Sequence, residues 1–397
     1  MRHLSAKIRN LDESQTLLLT QRARLLKEAG VDIVSLTAGE PDFATPAHIK
    51  EAALRAIESD FTHYTPNQGT AELIGAIIDK FSSDNDLHFS PSQVLVSTGA
   101  KQSIYNALAA ILNPGDEVVI PSPYWVSYPA IVRLADGVPV TVPFPAGPGF
   151  RPDPRLLRRA IGPKTRVLML NTPCNPTGTV FTRSEVEEIA GVVRETNITV
   201  ISDEIYEKMI FDGRKHVSIG SIRGIRDQVV TVNGVSKAYA MTGWRIGYMG
   251  GPEEIIRAAA KVQGQVTNNA NSIAQKATVA ALRGPQGPIE TMRNEFQARR
   301  DYIMARLLPE SGPGLRAPEG AMFVLLGVGR FFGKRGRGAL IRDAVGLVEY
   351  LLEHHHLALV PGDAFGAPDH VRISFAASMT DLARGMDRLL RGLKEIE

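Results

Sequence analysis

Along the middle of the chain, short runs rich in Val, Ile and Leu alternate with longer stretches whose apolar residues recur at the spacing of one helix face. The runs at residues 94–97, 117–120, 138–142, 166–171, 198–202, 229–233 and 246–250 are too short for helices, and most are apolar as in strands covered on both faces. Between them, residues 101–112, 153–160 and 183–196 carry an amphipathic pattern. That alternation predicts an α/β fold with a mostly parallel, seven-stranded sheet sandwiched by helices. Ligands bind at the strand ends of such sheets.

After about residue 285 the texture changes. A long charged helix is expected at 289–308, then a Gly/Pro stretch at 311–320, a strand at 322–326, a Gly- and Arg-rich loop at 327–338, and helices at 339–354 and 380–394. Together with the N-terminal segment this predicts a second, smaller α+β domain. The expected divisions are 1–45 for an N-terminal arm and part of the small domain, 46–285 for the large domain, and 286–397 for the C-terminal small domain. A chain of 397 residues exceeds the size at which one core keeps growing, which fits two domains.

Composition excludes more than it suggests. Hydrophobic residues at 44 % and charged residues at 22 % are ordinary for a globular protein. A net charge of +3, with no basic run interleaved with aromatics, argues against a nucleic-acid partner. The polar, basic first ten residues are no secretory signal, and no apolar stretch is long enough to span a bilayer. A single cysteine, Cys174, excludes an intrachain disulfide and fits a reducing compartment, so the cytoplasm is the expected location.

Several motifs fail on spacing. Residues 329–334, G-R-F-F-G-K, are one residue short of a P-loop, and Phe332 stands where a dinucleotide fingerprint beginning at Gly327 needs its third glycine. His354, His355 and His356 are consecutive, so on a helix they diverge, and no metal site is expected. The sequon at Asn197 falls at an expected buried strand and is read as silent.

The chemistry-bearing residues cluster at strand ends. Residues 233–247 read N-G-V-S-K-A-Y-A-M-T-G-W-R-I-G, placing Lys237 after a β-rich run and eight positions before Arg245. A lysine so placed can form a Schiff base with an aldehyde cofactor while the arginine meets a phosphate, although most lysines are simply solvated. Gly99, Ala100 and Lys101 open a helix after a strand, where backbone N–H groups can approach an anion; a plain turn looks the same. Asn175 precedes a proline, which biases it to extended geometry facing a ligand or marks only a turn. Asp203 and Tyr206 end another buried strand. A buried Asp203 needs a partner, for which a protonated ring nitrogen serves, or it caps a helix. Trp125 offers a stacking face or fills a core.

Taken as a set, these segments resemble the class I, fold-type I aminotransferases that use pyridoxal 5′-phosphate. The resemblance covers residues 36–376 and rests on A-G-E-P-D-F at 38–43, H-Y-T-P at 63–66, P-Y-W-V-S-Y-P at 123–129, N-P-T-G at 175–178, S-D-E-I-Y at 202–206, the lysine segment, and R-I-S-F-A at 372–376. The wording is most similar to the bacterial aspartate aminotransferase branch that includes prephenate aminotransferases.

The resemblance implies roles. Lys237 holds the cofactor as a Schiff base and shuttles a proton, Asp203 keeps the ring nitrogen protonated, and Tyr206 and Asn175 bond the phenolic oxygen. Trp125 stacks on the ring and borders the substrate. The N–H groups of Gly99, Ala100 and Lys101, with Arg245, bind the phosphate, joined by Tyr64 from a partner subunit, which implies a homodimer with shared sites. Arg372 clamps the substrate α-carboxylate, helped by Gly39 and Asn175, whereas without the neighbouring motif it would read as an edge-strand arginine in an ion pair. Lys101, assisted by Thr16 of the neighbouring subunit, reads a second carboxylate. Gly234 stands where some relatives carry a phosphate-binding serine and is given no side-chain role.

The expected activity is transfer of an amino group between an amino acid, aspartate or glutamate by this resemblance, and a 2-oxo acid such as 2-oxoglutarate. Gln15 and the N-N-A-N loop at 268–271 depart from the serine- and threonine-rich wording of that branch. An aromatic or prephenate aminotransferase therefore stays open, with a lyase or synthase, or a non-catalytic cofactor-binding regulator, behind it.

Overall fold

Seven strands form one sheet in the order Val94–Ser97, Gly247–Gly250, Val229–Gly234, Thr199–Asp203, Thr165–Asn171, Glu117–Ser122 and Val138–Pro143 in this computed structural model. The structure describes residues 3–9, 11, 15–147, 149–311 and 315–397; the side chains of residues 6, 15–20, 310 and 311 lie outside the description. All seven expected strands are present to within two residues at either end. Six run the same way, and Gly247–Gly250 is antiparallel to both of its neighbours.

Strand alternation explains why these runs are apolar throughout. Val118, Ile120, Val167, Met169, Ile201, Val230 and Val232 enter the core beneath helices Ala100–Ile111 and Glu253–Val266. Their neighbours Val119, Leu168, Leu170, Val200 and Val229 enter a separate core beneath helices Pro154–Ala160 and Arg183–Arg194. Successive side chains point to opposite faces, and both faces are covered.

The smaller layer is an antiparallel sheet in the order Val360–Pro361, His370–Ser374, Phe323–Gly327. The N-terminal strand Val34–Ser35 pairs in parallel with Leu357–Ala358, and Val34 and Leu36 share a core with Leu326, Leu347 and Leu389. The N-terminal segment is thus built into the C-terminal part by direct pairing.

Local chemistry moved some boundaries. The helix expected from 339 starts at Ala344, because Asp343 accepts the amide of Gly346 at 2.8 Å and caps it. Ala339–Leu340 instead pairs with Arg335–Gly336 across a turn in which Gly338 has φ +85°. The histidines diverge as their spacing implies: His355 turns inward to the Tyr350 hydroxyl at 3.2 Å, while His356 ends the helix in the left-handed region. The sequon is not in a buried strand, since Asn197 is exposed and the strand begins at Thr199.

Candidate active site

Asp203 is the last residue of its strand, so its carboxylate stands at the sheet's C-terminal edge. Oδ2 accepts from the Tyr128 hydroxyl at 2.7 Å and Oδ1 from the Ile205 amide at 3.2 Å. The chain then turns without entering a helix, so Asp203 is no helix cap. Burial raises its pKa to about 6 despite both hydrogen bonds. Tyr206, also buried, sits edge-on to Phe323 with ring centroids 6.0 Å apart, and burial raises its hydroxyl pKa.

Lys237 follows the strand Val229–Gly234, and its Nζ donates to the Gly39 carbonyl at 2.7 Å. Burial lowers its pKa to about 8, with the charge of Glu40 opposing that shift. Far more of this amine is therefore neutral near physiological pH than of an ordinary lysine, and the neutral amine is the form that attacks an aldehyde.

Arg372 lies on the central strand of its sheet, 2 % exposed, and is not an edge-strand surface arginine. Nη2 donates to the Thr37 carbonyl at 2.9 Å and Nη1 to Asn175 Oδ1 at 3.1 Å, while Phe323 and Phe365 flank the guanidinium at 4.3 and 4.8 Å. Nε has no partner, so the fork keeps one buried donor unused, and an acceptor such as a carboxylate would satisfy it. Burial lowers its pKa to about 10, which leaves it cationic at neutral pH. The amide of Asn175 is tied to Asn171 Oδ1 at 2.8 Å.

Gly99 ends the turn into helix Ala100–Ile111 with φ +85°. A Cβ there would lie 2.2 Å from Arg245 Nη2, so the guanidinium lies directly over the glycine. The amides of Ala100 and Lys101 belong to the helix's first turn, where no carbonyl of the helix can accept them. The Gly99 amide is already given to the Ser97 carbonyl at 2.8 Å. Trp125 is half-buried and not a core residue; it stands edge-on to Tyr128 at 5.4 Å, with Lys101 Nζ 4.9 Å from its ring centre.

One cavity of about 460 Å³ is lined by Gly39, Ala100, Lys101, Trp125, Asn175, Asp203, Tyr206, Lys237, Arg245 and Arg372. A larger one, about 600 Å³, is lined by Phe150, Arg151, Glu319 and His370 among others and has no lysine. Tyr64 is not brought to the first cavity and is 88 % exposed. Thr16 lies in helix Gln15–Glu28, with its side chain outside the described residues.

The family profile for aminotransferase class I and II matches residues 31–391. The chain belongs to this family. An aspartate/prephenate aminotransferase of Cereibacter sphaeroides is 46 % identical over 95 % of each chain, and the aspartate aminotransferase of Bacillus subtilis 42 % over 98 % of each. Among solved structures, the aspartate aminotransferase of Rhizobium meliloti superposes with a TM-score of 0.96 at 40 % identity over the whole of both chains. That of Thermus thermophilus with maleate gives 0.92 at 42 %, over 98 % of this chain and all of the other.

Pyridoxal 5′-phosphate is the cofactor of this aminotransferase, and the cavity fits it on its own chemistry. Gly99 and Arg245 form an anion cradle that a Cβ would fill, Asp203 offers a buried carboxylate, and Lys237 offers an amine of lowered pKa. Sequence reasoning passed over Tyr128, although it stands three residues after Trp125 in a quoted motif. It also passed over Glu40 and Thr242, joined at 2.6 Å and both lining the cavity; residue order carries no signal for that contact.

Proposed function

We propose that this aminotransferase moves the amino group of aspartate or glutamate to a 2-oxo acid such as 2-oxoglutarate in a ping-pong cycle. The observation carrying the substrate choice is that one cavity holds two cations besides the reactive lysine and Arg245: Arg372 with an unused buried donor, and Lys101 at Trp125. Two cations suit a substrate with two carboxylates. The names of the relatives support the same choice, as does maleate, a dicarboxylate, with the Thermus thermophilus enzyme. Prephenate also carries two carboxylates, and relatives named for it keep it as the second reading.

When bound, pyridoxal phosphate supplies an aldehyde carbon and an electron-withdrawing ring. Lys237 would hold that carbon through its amine and, once free of it, would carry the proton from the substrate α-carbon. Asp203 holds a proton at the ring nitrogen, oriented by Tyr128 and the Ile205 amide. Asn175 and Tyr206 would donate toward the phenolic oxygen, Trp125 would cover the ring face and border the substrate, and the amides of Ala100 and Lys101 with the Arg245 guanidinium would hold the phosphate beside Gly99, whose own amide is taken by Ser97. Arg372, Gly39 and Asn175 orient the α-carboxylate, and Lys101 takes the distal one with Thr16 of a second copy.

A homodimer completes the reading. Leu54 and Ile57 stand 58 % and 50 % exposed on helix Ala47–Glu58, and the exposed Tyr64 follows it, the composition of a surface that a second copy covers. Tyr64 would then reach the partner's phosphate. The divisions 1–45, 46–285 and 286–397 and a cytoplasmic location belong to the same proposal. No described helix is long and apolar enough to cross a membrane.

A screen of single amino acids against the cofactor-loaded enzyme, followed by its visible spectrum, tests the substrate. Aspartate and glutamate should discharge the band fastest. Lys101→Ala should lower kcat/KM for aspartate roughly tenfold to a hundredfold, the loss of one charge-assisted hydrogen bond, and leave alanine nearly unchanged. Equal losses for both would remove the assignment of Lys101. Borohydride should fix the cofactor to Lys237, and attachment elsewhere overturns the site.

A further inference from the structure

Beneath the turn carrying Asp203 and Tyr206 lies a cluster of charged side chains withdrawn from water. Glu204 is fully buried, and Lys80, Glu207 and His216 are nearly so. Strand alternation sends Glu204 to the face opposite Asp203. There its two oxygens are filled: Oε1 accepts from the hydroxyls of Ser202 at 2.8 Å and Ser218 at 2.9 Å, and Oε2 accepts from Asn85 Nδ2 at 3.2 Å and meets His216 Nε2 at 2.7 Å. Asn85 Nδ2 also donates to Glu207 at 2.7 Å, and Lys80 pairs with Glu207.

Geometry alone would let Glu204, Glu207 and His216 share a cation, but Lys80 already supplies positive charge there. With His216 protonated, two carboxylates face two cations. Burial pulls the His216 pKa down, but Glu204 and Glu207 together more than offset it and leave it above the usual histidine value. Stability is a poor reason for such a cluster, because well-packed apolar residues replace buried ion pairs at little or no loss.

What the cluster does is join three segments. Asn85 ends helix Ala71–Asn85, His216 and Ser218 come from a loop, and Glu204 and Glu207 belong to the turn. The backbone continues the tie, with the Glu204 amide on the Val232 carbonyl at 2.9 Å and the Glu207 amide on the Glu204 carbonyl at 3.0 Å. Asp203 precedes Glu204 and Tyr206 follows it by two, so a shift of Glu204 moves both. Burial is the main upward push on the Asp203 pKa, and the charge of Glu204 adds to it.

We propose that Glu204, with Asn85, His216, Ser202 and Ser218 as its donors, is a positioning residue for transamination, holding the 203–206 turn so that Asp203 and Tyr206 keep their places in the catalytic cavity. This rests on the roles proposed above for Asp203 and Tyr206.

The test is Glu204→Gln in the cofactor-loaded enzyme. Glutamine keeps the size but turns an amide donor toward one pair of existing donors. The expected result is a fall in kcat of roughly tenfold to a hundredfold, with KM for aspartate held within about twofold and a shifted pH midpoint of the visible band. Wild-type kcat and an unshifted band, whatever happens to thermal stability, overturn the proposal. His216→Gln, which still donates, should keep more activity than His216→Ala; equal losses also count against it. Should Glu204→Gln not fold, Ser218→Ala removes one donor from the same carboxylate, and an unshifted band there is the overturning result. Asp203→Asn is assayed in parallel. If it leaves band and kcat intact, the underlying reading fails; if it changes them and the Glu204 and Ser218 variants do not, only this inference fails.

Discussion

Asp203 holds both carboxylate oxygens in hydrogen bonds, yet burial keeps its pKa near 6, above its ordinary value of 3.8. Between those values the folded, cofactor-free protein holds a proton that the unfolded chain has released. That contribution is complete below pH 4 and is lost as pH rises through 6, so it favours the folded state at low pH. Two units correspond to roughly 3 kcal/mol. Urea unfolding of the cofactor-free enzyme should show Asp203→Asn gaining stability relative to wild type by up to about that amount between pH 4 and pH 7. A gap that does not change with pH would mean that Asp203 holds no such proton. The sequence offered Asp203 as a candidate, but its partner Tyr128 lies 75 positions away at the start of helix Tyr128–Leu134, and residue order carries no signal for that contact.

At the scale of elements, the end of the cavity lined by Ala100, Lys101 and Arg245 depends on how closely one strand passes a helix start. Gly247 opens the antiparallel strand, and a Cβ there would lie 2.1 Å from the backbone nitrogen of Ala100. Backbone cannot yield as a flexible side chain would, so Gly247→Ala must push strand and helix apart. A loss of roughly 1–3 kcal/mol is expected, together with weaker cofactor binding, read by thermal unfolding and by cofactor titration. Unchanged binding in a destabilised variant would separate this contact from the anion cradle. The strand itself was legible from its apolar run. The need for glycine was not, because it arises from a segment nearly 150 residues earlier.

For the whole molecule, the exposed Tyr64 and the distant Lys237 predict sites shared between copies. Lys237→Ala and Tyr64→Ala enzymes, each defective alone, should regain about a quarter of wild-type activity when unfolded together and refolded in equal amounts, since half the dimers are hybrids with one intact site in two. No recovery, with hybrids demonstrated by mass, would place each site within one chain. Within one chain, Val34–Ser35 pairs in parallel with Leu357–Ala358, a contact that a change of sequence texture after residue 285 does not by itself specify.

The sequence by itself determined the α/β alternation, the strand positions and the cofactor chemistry, because each is written in local periodicity or in motifs of a few residues around Lys237, Asp203 and Asn175. Tertiary structure decided which distant groups share one cavity and which support it from behind. Arg372 reaches the Thr37 carbonyl across 335 positions, and Glu204 gathers donors from Asn85 and Ser218. Such contacts depend on strand order and on the crossing of helices over the sheet. Hydrophobic patterning makes each of those elements, but it does not say which of them will meet.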